Sequence, residues 1–439
     1  MVHSEETSPP SPKPAFGVRR LLAFFGPAYL VSVGYMDPGN WATDLEGGSR
    51  YGYALLWVVG LSSLMAVFLQ TLCARLGLVS GRDLAQACRD YYPRRAAVAL
   101  YLLAEIAIVA CDVAEVIGSA VALSLLFGLD LRAGVLLTGL DVLLLLSLSR
   151  FGMRKMEAFV VALVATIFAS FALNLWWAKP DLGAAAHGLF VPSLPGDRAL
   201  AIAVGILGAT VMPHNLYLHS SLVKSRSVLD KRQGVRMATL DTVVALGGAF
   251  FVNAAILILA AAVFHGTGKV VSQLEEAHGL LAPALGGAAS TLFAVALLAS
   301  GQSSTLTGTL AGQIVMEGFT DLKVKAWLRR LVTRLLAIVP AMLIVLVHGH
   351  DTADALVFSQ IVLSMQLPFA VLPLVLFTSD RRIMGDFANP LWMKVVGGAI
   401  TGTILLADFY LLGTQYGWAK VGVGASLLFG YFGWAFRKR

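Results

Sequence analysis

The chain of 439 residues is 57% hydrophobic and only 13% charged, and apolar runs of about 20 residues, long enough to cross a bilayer, recur from end to end; this is the composition of an all-α polytopic membrane protein. Its three cysteines, Cys73, Cys88 and Cys111, show neither pairing rhythm nor CxxC spacing, which excludes a disulfide framework and a structural zinc site. The net charge of +7 reports topology and not a nucleic-acid partner, because about 24 Lys and Arg fall on one side of the expected spans and about 6 on the other, the positive-inside bias.

Residues 1–17 are polar, acidic at Glu5 and Glu6 and rich in Ser and Pro. They are no cleavable signal peptide and are expected to form a disordered cytoplasmic tail, followed by a single transmembrane domain over residues 18–439. Twelve spans are expected at about 21–46, 52–76, 96–126, 132–149, 156–178, 198–222, 238–264, 284–312, 331–347, 353–378, 391–412 and 417–436. An even number puts both termini in the cytoplasm; eleven spans, with an interfacial last segment, is the alternative.

The first span is interrupted midway by Asp37-Pro38-Gly39-Asn40. A proline inside a helix removes a backbone hydrogen bond and clashes with the preceding turn, at roughly 3 kcal/mol or more. In lipid the freed carbonyls find no water, so such a break survives only where it is buried in protein or lines a cavity. Placing Asp37 at mid-span costs roughly 2.5–3.5 kcal/mol more and calls for a partner, for which a cation would serve. Asn40 adds a neutral carbonyl oxygen, and unwound backbone around Gly34 and Tyr35 can turn further carbonyls inward.

The third span carries Glu105, Asp112 and Glu115, seven and three residues apart and hence on one helical face. Three membrane carboxylates need cationic partners or protons, and Arg330 and Arg334, one turn apart in span nine, are the expected partners. A ladder of acids and arginines reads as a proton wire, with a structural salt-bridge network as the alternative. Asp141 in the fourth span reads as structural.

The sixth span holds the second break, Met212-Pro213-His214-Asn215. Methionine in an apolar helix is ordinarily core filler, but its place directly before the proline of a break makes it a candidate soft ligand. A site of Asp and Asn oxygens with a thioether favours Mn²⁺, Fe²⁺, Co²⁺ or Cd²⁺ over Mg²⁺ and Ca²⁺, which want oxygen alone. His214 is either a metal ligand or a proton carrier, and His219 extends that path toward the cytoplasm.

Breaks in spans one and six imply two five-span halves, over about 18–178 and 197–378, that enter the membrane from opposite sides; residues 391–412 and 417–436 are then extra helices. The substrate site of such an inverted repeat lies near the midplane, between the halves. Of the remaining polar residues, Asn253 in span seven is a gate support and Gln360 in span ten a further candidate for the metal shell, while Asp241 and Asp408 read as structural. The small and hydroxylated residues from Gly301 to Phe319 in span eight suit close helix approach. The loop cluster His348, His350, Asp351 and Asp354 reads as solvated.

Asp37-Pro38-Gly39-Asn40, Met212-Pro213-His214-Asn215 and the Gly301–Phe319 segment together resemble the Nramp/MntH family of proton-coupled divalent metal transporters, essentially over the whole chain. The resemblance implies a LeuT-like fold working by alternating access. It also implies metal coordination by Asp37, Asn40 and Met212, with backbone carbonyls near Gly34 and Ala209. Proton roles then fall to His214 and the acids of span three, with Arg334 as the matching arginine. Relatives that carry Mg²⁺ or aluminium lack the methionine, so Met212 places the chain among the transition-metal importers. Gly34 stands where relatives often have alanine; with only the carbonyl implicated, little effect is expected. Short loops and the absence of N-x-S/T sequons look bacterial.

The expected function is therefore that of a non-enzymatic importer in the plasma membrane, taking up Mn²⁺, and also Fe²⁺, Cd²⁺ or Co²⁺, together with H⁺. No resident cofactor is expected; the partners are the metal ions, protons and lipid, and the chain is expected to work as a monomer. One rival is a Na⁺-coupled amino-acid or amine symporter of the same architecture, which would need a helix N-terminus to cradle a carboxylate where this chain has an Asp/Met pair. A channel is the other rival, and two occluding broken helices argue against it. No HExxH, GxSxG or P-loop pattern points to an enzyme.

Overall fold

A computed structural model describes residues 26–140, 153–226, 230–268, 270–322, 324–349 and 352–436. The expected N-terminal tail, Asp141, His350 and Asp351 lie outside the described residues. The regular structure is helical, with no strand among the described residues. The helices are α1 (Pro27–Gly34), α2 (Pro38–Tyr51), α3 (Leu56–Ser80), α4 (Leu84–Tyr91), α5 (Arg94–Phe127), α6 (Leu131–Thr138), α7 (Met153–Ala178), α8 (Leu182–Phe190) and α9 (Asp197–Thr210). They continue as α10 (Pro213–Leu222), α11 (Lys231–Val263), α12 (Leu274–Leu285), α13 (Gly287–Thr320), α14 (Ala326–His348), α15 (Ala353–Ser379), α16 (Arg381–Met384), α17 (Leu391–Tyr416) and α18 (Trp418–Phe436). Eight segments of the described residues are long and apolar enough to cross a membrane on their own.

The two interrupted spans are the pairs α1/α2 and α9/α10, each broken directly before its proline. Proline alone does not break a helix here: Pro340 lies inside the continuous α14, and Pro368 and Pro373 inside α15. What distinguishes the breaks is extended backbone at the preceding residue, with ψ of 164° at Asp37 and 122° at Met212.

Corresponding elements of the two halves pack on one another, α3 on α11 and α5 on α13, and the broken spans meet through α2 and α9. That pairing is what a pseudo-two-fold axis through the middle of a LeuT-like inverted repeat produces. Burial sorts the helices into layers. In the α9–α10 segment 94% of the most apolar stretch is buried, against 28% for α7 and 33% for α14 and for α17. The broken helices therefore form the centre, and α7, α14 and α17 turn leucine and valine outward, as at Leu335, Leu336 and Leu343 of α14. Trp41 anchors α2 in this core, edge-on to Phe171 and Phe293 with ring centroids 4.8 and 5.2 Å away.

Candidate metal-ion site

The two prolines bear on two particular carbonyls. An α-helical carbonyl is paid by the N–H four residues on, and for Gly34 and Ala209 those positions are Pro38 and Pro213, which have no N–H. Neither carbonyl can therefore accept the usual intrahelical bond from the residue four positions on.

Asp37 is fully buried and caps α2, its Oδ1 accepting the Asn40 backbone N–H at 2.9 Å. Its Oδ2 has only weak company, the Gln360 amide at 3.5 Å and the Cys111 thiol at 3.9 Å. None of these partners is cationic. Asn40 donates its amide to the Tyr35 carbonyl at 2.8 Å, which turns its Oδ1 away as a buried oxygen with no donor. Gln360 lies against Gly39, so close that a Cβ there would overlap its amide, and its Oε1 is likewise without a donor. Buried oxygens of this kind suit a cation, since each forfeits hydration unless something positive faces it.

From the other break, Met212 is wholly buried beside Cys111 and Leu363. His214 points its Nε2 toward the Cys111 sulfur, 4.0 Å away, and its Nδ1 has no partner. Asn215 makes no side-chain hydrogen bond and packs on Gly34, where a Cβ would stand 2.5 Å from its Nδ2. The sequence expectation that alanine at position 34 changes little therefore carries a condition, that the Asn215 amide swings aside. Among the described residues no three His, Cys, Asp or Glu side chains form a metal cage, so an ion here would rest on the mixed set of carboxylate, amide, thioether and backbone oxygens.

Tyr35, in the first break, organises the floor. Its carbonyl accepts from both Asn40 and Asn253, at 2.8 and 2.9 Å, and its hydroxyl accepts from Gln70 at 2.7 Å. Gln70 also meets His219 Nδ1 at 2.9 Å. Asn253 and His219 are thus joined to the first break through Tyr35, whose carbonyl the sequence placed there, and through Gln70, which carried no signal in the sequence beyond being polar in an apolar helix.

The acids of α5 face α13, where Gly308 admits both: a Cβ there would lie 3.2 Å from Asp112 Oδ1 and 3.3 Å from Glu115 Oε1. Within the Gly301–Phe319 segment it is Gly308 that makes room for these two carboxylates. The arginine pairing corrects the sequence reading at one point. Glu105 is held by Arg329, whose Nη2 lies 2.7 and 2.9 Å from its two oxygens, and not by Arg330, whose Nε and Nη1 have no hydrogen-bond partner among the described residues. Neighbouring arginines on a helix point about 100° apart, so only one faces α5. Arg334 donates to the Thr138 carbonyl at 3.0 Å, and its charge acts on both Asp112 and Glu115. Asp241 accepts the Ala28 N–H at the start of α1, and Asp408 accepts from Ser364 of α15.

Residues 28–414 match the family described as natural resistance-associated macrophage protein-like, Nramp. The chain belongs to the Nramp family. Its relatives include a protein of Xanthomonas campestris named divalent metal cation transporter MntH, 56% identical over 403 residues that cover 90% of each chain. Among solved structures it is similar to the Eremococcus coleocola manganese transporter, with a TM-score of 0.88 and 39% identity over 97% of this chain and 96% of that one. The inward-facing structure of Mhp1, 16% identical over 92% of this chain and 91% of that one, shares the fold alone, with a TM-score of 0.57.

Proposed function

We propose that this Nramp-family chain is a proton-coupled secondary active importer of divalent transition metals, Mn²⁺ foremost and Fe²⁺, Cd²⁺ or Co²⁺ besides, working by alternating access. The observation that carries the reading is the meeting of the two breaks, where Gly34 packs on Asn215 and Cys111 lies beside both Asp37 and Met212; Asp37 and Asn40 from one break, Met212 from the other, and the carbonyls of Gly34 and Ala209, which the prolines deprive of their intrahelical donors, make the donor set. Hard oxygens with one thioether make a site that takes transition ions and disfavours Ca²⁺ and Mg²⁺. The named relatives, transporters of divalent metal cations and of manganese, support the same substrate class.

Protons move inward with the metal. Asp37 exchanges proton for metal, His214 borders it through Cys111, and Glu115, Asp112 and the Glu105–Arg329 pair continue along α5. The route through His219 passes by Gln70 and Tyr35 instead. With the positive-inside orientation, both termini are cytoplasmic, and the ends of α2, α9 and α15 that carry Glu46, Arg198 and Asp354 are external. There Arg198 bridges Glu46 at 3.0 Å and Asp354 at 3.5 Å, a contact that closes the outer mouth.

The test is uptake into proteoliposomes with a panel of metals and an internal pH reporter. Mn²⁺ uptake accompanied by internal acidification is expected, both lost in Asp37→Ala. Metal uptake with no proton movement would remove the coupling, and uptake unchanged in Asp37→Ala would remove the site.

A further inference from the structure

Cys111 stands one position before Asp112 in α5, and its sulfur is the point where the separate parts of the site come together. It lies 3.9 Å from Asp37 Oδ2, 4.0 Å from His214 Nε2 and 3.7 Å from Glu115 Oε1, and it packs in one apolar cluster with Met212. The side chains it touches are themselves buried and incompletely partnered: His214 Nδ1 and Glu115 Oε2 have no hydrogen-bond partner.

The 3.9 Å between the sulfur and Asp37 Oδ2 is a long thiol hydrogen bond, and it is also close to the edge of a coordination polyhedron. With metal–sulfur and metal–oxygen bonds of ~2.3 and ~2.1 Å, an ion shared at a tetrahedral to trigonal angle holds sulfur and oxygen roughly 3.6–3.8 Å apart, and a larger ion lengthens that edge. Resting on the importer reading above, we propose that Cys111 is a specificity-determining residue that supplies a second sulfur, besides Met212, to the ion held by Asp37, and so biases the site toward thiophilic ions such as Cd²⁺. Ligation replaces the thiol proton by the ion, and the proton passes to the Glu115 carboxylate beside it. Two soft donors strengthen binding of a soft cation far more than of Mn²⁺, which prefers oxygen and nitrogen.

The experiment uses the full chain in nanodiscs, in a Cys73→Ala/Cys88→Ala background that leaves Cys111 as the sole thiol, titrated with Cd²⁺ and with Mn²⁺. The expected result is a thiolate-to-cadmium charge-transfer band in the ultraviolet, absent from Cys111→Ser. Cd²⁺ affinity should fall about tenfold or more in Cys111→Ser and Cys111→Ala, with Mn²⁺ affinity changed less than about threefold. No band in the parent, a band that persists in Cys111→Ser, or a Cd²⁺/Mn²⁺ preference unchanged in both variants would overturn the proposal. Asp37→Ala in the same background separates the two readings. Metal binding undiminished in that variant defeats the site itself, whereas a site that needs Asp37 but ignores Cys111 defeats only the thiol.

Discussion

The Asp37 carboxylate accepts the backbone N–H of Asn40 at 2.9 Å, so the residue that would hold the cation is also the N-cap of the helix beginning at Pro38. One oxygen serves the fold and leaves the other to the site. The two roles separate by substitution. Asp37→Asn keeps a good capping group, while alanine loses a cap usually worth about 1 kcal/mol. Both variants should lose metal uptake to background, but Asp37→Asn should keep the wild-type melting temperature in detergent. Asp37→Asn protein that still concentrates Mn²⁺ would show that the charge is not what binds it.

Met212 caps the other half-helix without a side-chain hydrogen bond, so truncating it removes a ligand and some packing without unmaking a cap. Met212→Ala should retain partial Mn²⁺ uptake while Ca²⁺ and Mg²⁺ become effective competitors, because the thioether is gone and oxygens dominate the remaining donors. Competition assays with a metal-sensitive dye inside the vesicles read this directly. Selectivity identical to the parent would remove the thioether argument.

The fold was legible because its cost is written in the sequence: a polar tetrad around proline in each of two apolar spans has few affordable explanations, and their separation by five spans gives the inversion. Proline was a weaker signal than it looked, since Pro340, Pro368 and Pro373 sit in unbroken helices. The informative part was the capable side chain beside each proline. What the sequence hid were residues whose meaning is geometric. Arg329 differs from Arg330 only in helical direction, Gln70 matters because Tyr35 and His219 both reach it, and the spacing of Cys111 speaks only against a disulfide and a structural zinc site. A signal for Cys111 did exist, one turn before Glu115 on the same face of α5.

The Glu105–Arg329 pair is largely buried, with side-chain exposures of 19% and 9%. Removing one partner of a buried pair strands the other charge, at roughly 3–5 kcal/mol when burial is complete, and less where water still reaches the carboxylate. Arg329→Gln and Glu105→Gln should each lower the melting temperature, and the double variant should recover part of the loss. Arg330→Gln should show no such coupling to Glu105. A double-mutant cycle by thermal unfolding in detergent measures both, and equal coupling of the two arginines to Glu105 would contradict the pairing.

Glu46 is 1% exposed, but its bridging partner Arg198 is 48% exposed, and pairs with one wet member contribute little, about 0–1 kcal/mol. In the proposed alternating-access cycle the outer mouth must open each time, and a weak latch suits that, since a strong one would trap the closed state. Arg198→Ala also leaves Glu46 with only Arg50, at 3.4 Å, so the closed arrangement loses its link between α9 and α2. A loss of about 1 kcal/mol shifts the closed-to-open ratio roughly fivefold. Spin labels at the outer ends of α2 and α9 should therefore report a larger long-distance population in Arg198→Ala proteoliposomes than in the parent. Charge exchange, Glu46→Arg with Arg198→Glu, should restore part of the short-distance population. Distance distributions that match the parent in Arg198→Ala would mean that packing of α2 on α9, and not the ion pair, keeps the outer mouth shut.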